Sequence, residues 1–158
     1  MSKSPDKENF KTICVNKKAS FQYELGDRLE AGLVLVGTEV KSLRLGKANL
    51  LDAYARIING EAYLIGAHIS PYTSAYYGNH DPLRKRKLLL HAKEIKKLTG
   101  KTQEKGQSII PLKMYFKNGK VKVEIALAKG KKIHDKRQTM KEKDTRREMA
   151  RTVREYNR

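Results

Sequence analysis

Hydrophobic positions along this chain recur mostly with a period of two. Val121, Val123, Ile125 and Leu127 face one way while Lys122 and Glu124 face the other, the pattern of a half-buried strand. Ile110, Leu112, Met114 and Phe116 alternate likewise, and Asn118-Gly119 between the two runs predicts a tight hairpin turn. A second hairpin is predicted from Ala53–Ile58 and Glu61–Ile65 around Asn59-Gly60. Phe10–Val15 reads as a strand. So does Phe21–Leu25, with Phe21, Tyr23 and Leu25 on one face, and so does the apolar run Glu30–Val36, a central buried strand ended by Gly37.

Helical spacing is rarer. Val40, Leu43 and Leu45 follow Thr38, a candidate N-cap, and stop at Gly46. Ala92–Leu98 predicts a short helix stopped by Gly100. Pro71–Gly78, with Tyr72, Tyr76 and Tyr77, is a loop, and the basic run Arg84–Lys87 leads into a buried Leu88–Leu90. Five or six short strands with two or three helices, and no sign of a βαβ crossover, predict a mainly β protein. The expected architecture is an OB-like antiparallel β-barrel with peripheral helices.

Beyond Ala128 nothing can build a core. Residues 1–9 are polar and read as a flexible lead-in, 10–128 as the barrel, and 129–158 as a basic C-terminal tail. Lys129–Arg158 holds twelve basic and five acidic residues. At 100° per residue, Lys143, Arg147, Arg151, Arg154 and Arg158 share one stripe, with Met149, Val153 and Tyr156 nearly opposite. So narrow an apolar face predicts a tail disordered when free and helical when docked.

Charge narrows the partner. The net charge is +18, and Lys11–Ala128 alone holds 21 basic and 10 acidic residues. A surplus of that size suits a polyanion, because each neutralised phosphate releases counterions. No apolar run spans a membrane and no signal peptide is apparent, so the expected location is cytoplasmic. Cys14 is the one cysteine, which excludes internal disulfides and cysteine-based zinc sites.

Candidate chemistry is sparse. His68, His80, His91 and His134 include no pair at zinc-helix spacing, and no phosphate loop, nucleophile elbow or carboxylate cluster occurs. Asn79-His80-Asp81 reads as turn residues better than as a nuclease fragment. No catalytic residue, metal or cofactor is expected. Phe21 and Tyr23 are core residues or stacking platforms for bases. Lys41 and Arg44 form a solvated helix face or touch phosphates.

Several long motifs carry a resemblance. Glu30–Arg44, His68–Tyr72, Asn79–Pro82, Arg86–His91 and Ala126–Arg137 closely resemble the small protein B family, bacterial partners of transfer-messenger RNA (tmRNA) in trans-translation. The likeness runs from about Ile13 to the end. It implies an OB-like barrel that binds the tRNA-like domain of tmRNA and delivers it to stalled ribosomes, with functional links to alanyl-tRNA synthetase and the tRNA-delivering elongation factor.

The implied RNA-facing positions are Asn16, Lys17, Lys18, Tyr23, Glu30, Leu89 and His91. Phe21 stands where many relatives have histidine, keeping the ring and losing its polar contact, and Ser20 replaces a frequent arginine. Lys129, Gly130, Lys131, Lys132, His134, Asp135, Lys136 and Arg137 match the family's tail motif. The implied tail partner is the decoding centre and mRNA channel of the small ribosomal subunit, where Lys143, Arg147, Arg151 and Arg154 would meet RNA phosphates. The other readings are a ribosomal or general single-strand-binding OB protein and, more distantly, an RNA-modifying enzyme.

Overall fold

The computed structural model describes residues 9–104 and 106–157. The expected flexible lead-in, apart from Asn9, lies outside them. Among the described residues are nine strands and four helices. The strands are β1 (Phe10–Val15), β2 (Tyr23–Leu33), β3 (Ala48–Asn49), β4 (Tyr54–Ile58), β5 (Glu61–Ile65), β6 (His68–Ile69), β7 (Arg86–Leu89), β8 (Gln107–Lys117) and β9 (Lys120–Gly130). The helices are α1 (Ala19–Gln22), α2 (Gly37–Arg44), α3 (Ala92–Thr102) and α4 (Ile133–Tyr156).

The main sheet runs β1-β8-β4-β5-β7-β2-β9, all antiparallel, and β9 also pairs β8. The pairing therefore returns on itself, giving the OB-like barrel that the alternation predicts. The seam between β4 and β8 is thin, a single residue pair, Ala55 with Ile109. Both Asn-Gly hairpins form, with φ of 51° at Asn59 and at Asn118 and 75° and 78° at the glycines, the left-handed pair that a two-residue turn needs.

The main core fills the barrel with Leu64, Leu88, Met114, Val123 and Ile125, all at most 1% exposed. A second cluster, Ala19, Ile110, Leu112, Ala126 and Ala128, lies outside the barrel wall beneath α1. Two of the strands therefore carry apolar residues on both faces. On β8 the register shifts by one residue between Pro111 and Lys113. This bulge turns Ile110 and Leu112 outward while Met114 and Phe116 point in, so the strict alternation expected over Ile110–Phe116 breaks there.

Several sequence-based expectations change. Phe21–Leu25 is not one strand: Ala19–Gln22 closes a helical turn, with the Phe21 and Gln22 amides donating to Lys18 O at 3.1 and 2.9 Å. The small Ala19 anchors that turn in the outer cluster, outweighing local alternation. Glu30–Val36 is not a separate strand either, since β2 runs unbroken from Tyr23 to Leu33 through a bulge between Leu25 and Arg28. α2 begins two residues early, capped at Val36 and not at Thr38, and the Val36 amide donates to Glu39 Oε2 at 3.0 Å.

Gly100 does not stop α3. Buried Leu98 and the Thr99 and Thr102 hydroxyls, which donate to Ile95 O and Leu98 O at 2.8 Å, hold the helix through it, against a glycine cost of only ~1 kcal/mol. In the triple leucine only Leu88 is buried, and Leu89 is 54% exposed. The barrel also extends past Ala128, because Lys129 and Gly130 pair with Glu24 and Tyr23. The tail, expected to be helical only when docked, is a continuous 24-residue helix here. Its sequence after Gly130 has no proline or glycine, and Thr145 and Thr152 donate back to Lys141 O and Glu148 O.

Candidate nucleic-acid interface

Of the ten body residues named above, eight lie around the two ends of β2, and Lys41 and Arg44 lie on α2. At one end, Glu30, Leu89 and His91 line a cleft of about 620 Å³ with Gly32, Lys87 and Lys122. Leu89 sits over Gly32, where a Cβ would lie 3.2 Å from the leucine Cβ. The glycine lets the strand pass beneath the side chain, which stays exposed. His91 caps α3: its amide donates to Glu94 Oε2 at 2.8 Å, leaving an exposed residue at the cleft mouth.

Glu30 is a fixed acceptor. The Tyr115 hydroxyl donates to its Oε2 and Lys117 Nζ lies 3.6 Å from Oε1. The Tyr115 bond, with Lys117 and Lys122, outweighs burial and holds the Glu30 carboxyl below the usual range. Glu30 is therefore ionised at neutral pH, a fixed negative charge in the wall of the cleft.

The surface continues from there. Leu89 and Lys122 also line the adjoining groove with Val40, Gly119 and Lys120, and Gly119 leads on to Asn9, Lys11 and Arg44. Lys11, Arg44 and Lys120 make no ion pair among the described residues. Arg44 thus joins the face, whereas Lys41 stands 5.4 Å over the Tyr72 ring. Lys11, Lys120 and Lys122, which also line these grooves, were not among the residues singled out from the sequence, although the outward phase of the last strand already placed Lys122 on the surface.

At the other end of β2 lie Lys17, Lys18, Phe21 and Tyr23. Asn16 is buried, contrary to its expected RNA-facing role. Its side-chain amide donates to Pro111 O at 3.1 Å and Leu50 O at 3.4 Å, so it braces the turn that presents exposed Lys17 and Lys18. Tyr23 lines a pocket of about 420 Å³ with Tyr54, Arg56, Gln107 and Ser108, beside the thin β4–β8 seam. Tyr54 and Arg56 had no sequence signal beyond ordinary strand alternation. Phe21 is half-buried on α1.

The tail leaves from this same end. Lys131 ties it down: its amide donates to Gln22 O at 3.0 Å, and its Nζ donates to Ser20 O at 2.8 Å and Thr139 Oγ1 at 3.0 Å. Lys129, Gly130, Lys132, His134 and Arg137 are exposed around that junction and Lys136 is half-buried. Lys143, Arg147, Arg151 and Arg154 are exposed along α4, as are Met149, Val153 and Tyr156. The Asp135 side chain and Arg158 lie outside the described residues.

In the basic run Arg84–Lys87, which leads into the buried segment, one member is itself internal. Arg86 is fully buried and donates to Glu39 Oε1 at 2.8 Å, to Ala67 O at 2.7 Å and to Pro82 O at 3.1 Å. Arg84 reaches the other Glu39 oxygen at 2.8 Å. His80 is also structural: Nδ1 pairs with the Thr38 hydroxyl at 2.8 Å and Nε2 with Ile69 O at 2.9 Å. No group of three or more potential metal ligands occurs among the described residues.

An OB-like barrel with a basic, partly apolar outer face and an appended basic helix is the class of protein built to meet a polyanion. The sequence model of the family described as SmpB protein matches residues 13–155, and the chain belongs to that family. An SsrA-binding protein of Syntrophobacter fumaroxidans is 62% identical over 144 residues, 91% of this chain and 89% of its own length. That of Geobacter sulfurreducens is 60% identical over 145 residues, 92% and 95% of the two chains. A chain of the solved structure "tmRNA-SmpB: a journey to the center of the bacterial ribosome" matches with a TM-score of 0.65 at 48% identity, over 76% of this chain and 85% of that one.

Proposed function

We propose that this protein is a noncatalytic RNA-binding adaptor of ribosome rescue. It binds the tRNA-like domain of tmRNA and carries it to stalled ribosomes for trans-translation. The observation that carries this reading is the extent of the family match, residues 13–155, which takes in the barrel and nearly all of the tail together. The SsrA-binding relatives and the likeness to a tmRNA-SmpB structure point the same way.

The division of labour follows the geometry. The barrel, 10–128 with the two further paired residues Lys129 and Gly130, reads the RNA through its basic outer face. Lys11, Arg44, Lys120 and Lys122 neutralise phosphates, Leu89 supplies an apolar contact, and Glu30 and His91 supply polar ones. Lys17, Lys18, Phe21 and Tyr23 form a second contact beside the tail junction. The tail enters the decoding centre and the empty mRNA channel of the small subunit, where a message would exclude it by volume. Before delivery, alanyl-tRNA synthetase and the tRNA-delivering elongation factor act on the complex in the cytoplasm.

Sequencing the RNA that copurifies with the protein from its own host tests the reading. tmRNA should dominate. Ribosomal RNA without tmRNA would favour a ribosomal or general single-strand-binding protein instead.

A further inference from the structure

Tyr76 and Tyr77 are the most exposed large hydrophobic side chains of the described body, at 90% and 97%. Their rings stand edge to face, 5.1 Å apart at 74°. Single exposed apolar residues are ordinary, but two adjoining rings almost wholly in water form a surface that none of the described residues covers.

The loop that carries them is braced at its base. Asn79 closes it on Tyr72, accepting from the Tyr72 amide at 2.9 Å and donating to the Tyr72 carbonyl at 2.8 Å. The next residue is the locked His80, and the Ser70 amide donates to Lys47 O at 3.1 Å. The tip is thus presented outward from a fixed frame joined to the end of α2.

Charge identifies what fits there. From Ser70 to Leu89 the one acidic residue is Asp81, and its Oδ1 accepts the Leu83 amide at 2.9 Å. Around the loop base stand Lys41, with its Nζ 5.4 Å from the Tyr72 ring centre, and Lys47. Lys41 lies three positions before Arg44 on α2, so the loop base stands one helical turn from the basic face already described. Exposed aromatic faces fringed by cations suit unpaired nucleotides, whose bases stack on the rings while their phosphates meet the lysines.

We infer that Tyr76 and Tyr77 form a stacking platform for unpaired bases of tmRNA. The inference rests on the tmRNA binding proposed above. It extends the contact surface beyond the barrel face to this loop.

The test uses the full chain and a tmRNA transcript. Tyr76→Ala/Tyr77→Ala should weaken binding about 5- to 100-fold, and Tyr76→Phe/Tyr77→Phe should restore it, because stacking needs the ring and not the hydroxyl. The chain has no tryptophan, so Tyr77→Trp installs a single reporter whose emission tmRNA should quench. Thermal melts of all three variants should match wild type, since the rings support no core. Unchanged affinity of the double alanine variant overturns the inference. So does a tryptophan signal that responds to empty ribosomes or to anionic vesicles but not to tmRNA. Failure of the wild-type protein itself to bind tmRNA removes the proposed function, and this inference with it.

Discussion

Arg86 Nε donates to Glu39 Oε1 at 2.8 Å, and both side chains are completely buried. The pair ties α2 to β7, and with Arg84 it fixes the helix from which exposed Lys41 and Arg44 project. Burying two charges is costly, and such a pair gains little over a well-packed apolar one; removing one partner is what destabilises. Glu39→Gln should therefore cost about 3–5 kcal/mol, leaving Arg86 uncompensated. Glu39→Met/Arg86→Leu should cost much less. Urea unfolding of both variants checks the difference, and equal losses would argue against the pair's coupling.

The same carboxyl makes stability depend on pH. Burial pushes Glu39 up, but hydrogen bonds from Arg84, the Val36 amide and Arg86 bring it below the usual carboxylate range. A carboxyl lowered by folding stabilises fully above its unfolded pKa of about 4.3 and loses that contribution as pH falls through the folded value. Wild-type stability should hold at neutral pH and decline below about pH 4.3. Glu39→Gln should show a shallower decline, measured by urea midpoints across acid pH.

At the cleft, affinity and stability should separate. Leu89 is 54% exposed, so Leu89→Ala should change unfolding free energy by less than about 0.5 kcal/mol, as surface substitutions do. It should nevertheless weaken tmRNA binding measurably in filter-binding assays. Lys120→Gln/Lys122→Gln should act differently, lowering the slope of log affinity against log salt by roughly 0.9 for each phosphate no longer neutralised. A slope unchanged by that variant would move the RNA off this face.

What the sequence discloses is what neighbouring residues decide. The Asn59-Gly60 and Asn118-Gly119 turns, the last strand and the helix through Leu43 all follow from residues a few positions apart. The misread parts depend on distant partners. Arg86 looks like one more surface cation until Glu39, 47 positions earlier, is folded against it. Asn16 looks exposed until Pro111 O, 95 positions later, accepts its amide. The bulge at Leu112 leaves no mark, because both its phases are apolar. At the candidate interface, Glu30, Leu89 and His91 came from the family motifs, and the fold brings the three to one cleft. Lys11 and Lys120 become part of it only when the barrel brings β1 and the β8–β9 turn beside α2.

The tail allows a test that separates a helix from a mere charge. α4 keeps Lys143, Arg147, Arg151 and Arg154 on one stripe and Met149 and Val153 on another, and all six are exposed. Val153→Pro leaves the net charge at +18 but removes a backbone donor and costs about 3 kcal/mol or more within a helix. The proline ring would also clash with the carbonyl of Met149, one turn earlier, and so break the helix before its last turn. If the tail works as a helix in the mRNA channel, Val153→Pro should abolish tagging of stalled nascent chains in a reconstituted translation system with a stop-less message. Binding of tmRNA by the barrel should survive, because position 153 lies more than twenty residues beyond the last barrel strand. Tagging at the wild-type level would sink the helix requirement and leave charge alone to account for the tail.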